Sequence, residues 1–63
     1  MTFQQYIALK PGNLVVMSRN DAYLSRFGFV ILKEGNYYAV QYFDKPEDKA
    51  YISPGNFDYW YTV

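Results

Sequence analysis

The chain has 63 residues, enough for one small domain, and contains neither cysteine nor histidine. Disulfides and ordinary zinc sites are excluded, as is any nucleophile–base pair that needs His or Cys. Six basic and six acidic residues give a formal net charge of zero, which argues against a nucleic-acid binder, because phosphate neutralisation needs a basic excess.

The N-terminus, "MTFQQYIALK", lacks the basic start and continuous apolar region of a signal peptide. The longest apolar run, "FGFVIL", falls far short of the ~20 residues of a membrane span. A soluble protein without membrane insertion is expected. Residues 1–11 read as an N-terminal arm and residues 12–63 as the folded domain. Pro11-Gly12 opens a strand at 13–18, and "RNDAYLSR" (19–26) is a polar loop. "FGFVILK" (27–33) and "YYAVQYF" (37–43) are strands rich in β-branched and aromatic residues. Between them, "EGN" (34–36) is a tight turn, so the two strands form a hairpin. "DKPEDK" (44–49) is a charged loop and "AYIS" (50–53) a short strand. "PGN" (54–56) is a turn or one turn of 3₁₀ helix, and "FDYWYTV" (57–63) closes the chain.

No window carries a sustained 3.6-residue apolar period. Five short strands divided by turn residues predict an all-β fold, a small five-stranded SH3-like barrel, monomeric on its own. The support for so small a core is aromatic, at 22% of residues, eight of them Tyr. Val15, Met17, Val30, Leu32, Val40 and Phe43 are the expected core.

Little in the sequence carries catalytic chemistry. Asp44, Glu47 and Asp48 cluster around Pro46 but lack the ligand count and loop glycine of a calcium site, so a solvated loop is expected. The four glycines are too scattered to cradle a phosphate. A binding role is the default, and catalysis is not expected. Tyr37, Tyr38, Tyr42, Tyr51, Tyr59, Trp60 and Tyr61 could line a groove for Pro-rich peptides; the plainer reading has most of them packing the fold.

Several segments together resemble the photosystem I subunit IV (PsaE) family, from about Gly12 to Phe57. "GNLVVMSRNDAY" resembles its opening strand and first loop, with Arg19, Asp21 and Tyr23 in place. "FGFV" resembles its Val-Gly-Thr-Val at Gly28 and Val30. "YYAVQYFDK" matches at Tyr37, Val40, Phe43, Asp44 and Lys45, and "ISPGNF" at Asn56 and Phe57. The chain departs from the family at Asn20 and Leu24, where Pro and Trp are usual, and at Leu14, Val16 and Tyr42, which are commonly basic. The family ending is absent too.

The resemblance implies an SH3-like barrel without a cofactor, peripheral on the cytoplasmic or stromal face of the thylakoid. It implies contact with photosystem I core subunits and docking of ferredoxin or flavodoxin. Arg19, Asp21, Tyr23, Arg26, Lys45 and Asn56 are the implied partner-binding residues. In this reading Arg19 faces the acidic carrier, Tyr23 packs the loop, and Gly28 lets the strand bend. Other non-catalytic barrels near ferredoxin remain alternatives: the variable chain of ferredoxin–thioredoxin reductase, and the SH3-like subunit of the photosynthetic NADH-dehydrogenase-like complex. A stand-alone interaction module, cellular or virus-borne, is a further one.

Overall fold

Thr2 and Gln5 build the first element. The Thr2 hydroxyl accepts from the Gln5 amide at 3.1 Å, and the Gln5 side chain accepts from the Thr2 amide at 2.9 Å. This reciprocal cap satisfies two donors that a helix start leaves open. It begins α1, Phe3–Ile7, in the computed structural model, which describes residues 1–17 and 25–63. Five residues are too few to hold a helix in water by propensity. Packing holds this one. Tyr6 and Leu9 are buried in the core. The Tyr6 ring meets Tyr38 edge-on at 5.2 Å and stacks on Phe57 at 5.3 Å. Its hydroxyl donates to the Asn36 carbonyl. Residues 1–11 therefore lie against the sheet and contribute side chains to its interior.

Five antiparallel strands follow: β1 (Leu14–Met17), β2 (Arg26–Glu34), β3 (Tyr37–Tyr42), β4 (Lys49–Ile52) and β5 (Trp60–Thr62). A 3₁₀ helix, Phe57–Tyr59, runs into β5, three residues after the turn where one was expected at the sequence level. The order across the sheet is β4-β3-β2-β1-β5. β4 and β5 stand at opposite ends, and no pairing joins them among the described residues. The expected closure into a barrel is thus corrected: the protein is mostly β, with an open five-stranded sheet and a one-turn helix.

The β2–β3 hairpin turns on Gly35 and Asn36, with Glu34 paired to Tyr37. Gly35 has φ +57° and no non-glycine residue has positive φ among the described residues. That is the demand of a II′ turn, which needs a positive φ only at its first central position. Gly12, at φ +94°, opens β1, and its amide donates to the Val30 carbonyl at 2.6 Å.

Alternation along the strands sorts the side chains. Val15, Val30, Val40, Tyr38, Ile52, Tyr42 and Trp60 form the core with Tyr6 and Leu9. Val15, Val30 and Val40 are fully enclosed, as expected, and Met17 packs against them half-buried. Two expected core residues face out instead. Leu32 is 39% exposed because the β2–β3 register shifts between Val30 and Leu32. That bulge adds one residue and sends Leu32 to the other face. Phe43 is 56% exposed because it has the opposite parity to Val40 and Tyr42, which face in.

Candidate functional site

Three elements bring charge and aromatic surface together at one corner. Arg26 starts β2, Tyr42 ends β3, and Asp44 and Asp48 lie in the loop that follows. Arg26 holds Asp44 with two nearly parallel bonds: Nη2 to Oδ1 at 2.9 Å and Nε to Oδ2 at 3.2 Å. The same Nη2 reaches Asp48 Oδ2 at 3.4 Å. The guanidinium also lies over the Tyr42 ring, 3.7 Å from its centroid, a contact that uses the planar shape arginine has and lysine lacks.

This pairing sets the protonation chemistry of the corner. The hydrogen bond from Arg26 holds the Asp44 carboxyl below its ordinary value of 3.8. The bond to Asp44 in turn raises the Arg26 value. Burial raises the Tyr42 hydroxyl, and the nearby Arg26 charge works against it. A carboxyl depressed in the folded state adds stability above its unfolded pKa and loses it as pH falls through the folded one. Stability should therefore decline below about pH 4, and Asp44→Asn should flatten that limb of the profile. Urea titrations from pH 2 to 7 read this out; an unchanged acid limb in Asp44→Asn would mean the pair carries none of it.

Behind this corner lies a cleft of about 240 Å³. Tyr42, Tyr51, Tyr59 and Trp60 line it, with Met17, Ala50 and Asn56. Tyr42 and Trp60 stack nearly parallel, with centroids 6.2 Å apart and planes at 13°. Asn56 shapes the wall. Its Oδ1 accepts from the Ser53 amide at 2.7 Å and the Ser53 hydroxyl at 3.3 Å, while its Nδ2 donates to the Tyr51 carbonyl at 2.9 Å. Asn56 thus closes the turn that aims the 3₁₀ helix at the cleft.

The sequence-level candidates divide accordingly. Arg26 lies over the Tyr42 ring, and Asn56 lines the same cleft as Tyr42. Lys45 is exposed in the loop between the two aspartates, where its carbonyl accepts from the Asp48 amide at 2.9 Å. Arg19, Asp21 and Tyr23 lie outside the described residues. Sequence reasoning missed the ion pairs of Arg26, since Asp44 and Asp48 are 18 and 22 positions away. The resemblance flagged Asn56, and Asn beside Pro54 and Gly55 is a residue type common in turns.

Comparison with known proteins adds no relative: no family model, curated protein or solved structure matches the chain. Among the described residues no helix is long and apolar enough to cross a membrane.

Proposed function

We propose that the chain is a non-catalytic interaction subunit with an opened SH3-like fold. The observation that carries this reading is the strand order β4-β3-β2-β1-β5, with a 3₁₀ turn leading into β5. An SH3-like barrel has this order, with a long loop after its first strand, and residues 18–25 occupy that place here. The narrower proposal follows the sequence resemblance: an extrinsic subunit on the electron-acceptor side of photosystem I. Two of the positions commonly basic in that family, Leu14 and Val16, are apolar here and point away from the core. Arg26 is engaged by two aspartates. Anchoring to protein therefore outweighs charge steering of ferredoxin or flavodoxin, and the latter rests on Arg19 and Lys45. Co-sedimentation with photosystem I particles stripped of their own subunit IV tests it. Binding at micromolar protein is expected. Its absence, with a genuine subunit IV binding alongside, would reject the photosystem reading and leave the interaction module.

The aromatic cleft favours a second reading, in which Tyr42, Tyr51, Tyr59 and Trp60 receive a Pro-rich peptide in its extended left-handed helix. Trp60, the sole tryptophan, reports directly. Titration with such a peptide should saturate a change in its fluorescence, and Tyr59→Ala should abolish that change. A flat signal up to millimolar peptide would exclude the groove.

A further inference from the structure

The face of the sheet turned away from the core is apolar on β5, β1 and the start of β2, and at Phe43 just past β3. Paired positions share a face, and the pairings link one part of this surface into two adjoining rows. One runs Tyr61–Val16–Phe27–Phe43: Val16 pairs with Tyr61 and with Phe27, and the Phe43 amide donates to the Phe27 carbonyl at 3.0 Å. The other runs Leu14–Phe29–Gln41–Lys49. The Phe29 and Phe43 rings join the rows, with centroids 5.3 Å apart. Phe27 and Phe43 are each 56% exposed, Tyr61 54% and Leu14 47%. Among the described residues the charged position in these two rows is Lys49, at the end of the second.

We infer that this face is a homodimer interface, taking a second copy of the same chain. Charge and area select that occupant. An uncharged surface on a chain of zero net charge offers nothing to steer an acidic or basic partner, whereas an apolar patch is complementary to itself, as a two-fold interface requires. If an aromatic side chain presents roughly 150–250 Å², these side chains leave on the order of 500 Å² open. That is at the upper end of the largest patch on a typical monomer. Two copies would bury on the order of 1,000 Å², the lower limit for a specific interface. The layout also fits, with the Phe27 and Phe29 rings central and Gln41 and Lys49 toward the rim. An area this small places the dimer in the weak, transient class. The inference departs from the monomer expected of the sequence. It involves a different surface from the cleft, and because Leu14 and Val16 belong to the face that the photosystem reading uses for anchoring, dimerisation and that anchoring would compete.

Sedimentation equilibrium between about 5 and 500 µM decides it. The mass should rise from 7.4 kDa toward twice that value. Phe27→Glu and Phe43→Glu should each weaken association at least tenfold, because each places a charge in the dry centre of the interface. Ile7→Ser removes an apolar side chain that is exposed on α1 and should leave association unchanged. Trp60 fluorescence monitors folding of every variant. Should a glutamate variant unfold, concentration-dependent amide shifts of the unaltered protein, confined to the two rows, supply the readout. A mass of 7.4 kDa at every concentration would overturn the inference, and so would association that survives both glutamates or disappears in high salt.

Discussion

Gly28→Ala should destabilise the protein by about 3 kcal/mol, near the top of what overpacking costs. Gly28 sits in β2 between Val15 of β1 and Tyr42 of β3. A Cβ built there would stand 2.7 Å from the Gln41 carbonyl oxygen and 2.8 Å from Val40 Cγ1. The valine methyl belongs to a fully enclosed side chain, and the carbonyl belongs to the strand backbone, so neither can yield without moving β3. Backbone strain is not the reason, since Gly28 is not among the positive-φ glycines. The need is for space. Chemical denaturation measures the loss. A change under about 0.5 kcal/mol would show that β2 and β3 separate easily. Total stability should be about 3–9 kcal/mol at this chain length, so the substitution threatens folding itself.

A loss of similar size, about 3 kcal/mol, is expected for Tyr6→Ala. The Tyr6 ring is buried against Tyr38 and Phe57, and its hydroxyl donates to Asn36 in the β2–β3 turn. Removing the ring opens the core at the end of the sheet and releases α1, which has little stability of its own. Tyr6→Phe separates the two contributions, retaining the ring and deleting only the hydroxyl, for about 1 kcal/mol. Comparable melting curves for the alanine variant and the unaltered chain would mean that residues 1–11 add nothing to the folded domain.

These two residues also mark what could be read from the sequence. The hairpin was legible because Gly35 and Asn36 are turn residues between two β-rich runs. Val15, Val30 and Val40 were legible as core on the same grounds. Phe43 was not: an almost unbroken apolar strand such as "YYAVQYF" does not reveal its parity. α1 was hidden because five residues complete barely more than one turn, leaving only the Thr2–Gln5 cap as a sign. At the candidate site, residue types were legible and partners were not. Arg26 reads as a free cation until the chain folds Asp44 and Asp48 against it, and no local pattern announces a contact between residues so far apart in sequence.

The bulge in β2 has a consequence for how this stretch tolerates change. Between Gly28 and Gly35 the strand changes phase once, at the step from Val30 to Leu32. Removing the extra residue, Ile31, would restore unbroken alternation with Leu32 still opposite Ala39 and facing outward, so every position up to the turn would keep its face. What the segment fixes is therefore its pairing on either side of the extra residue: loss of Ile31 is expected to leave the two faces of the sheet as they are, whereas a residue lost within a paired run would exchange them.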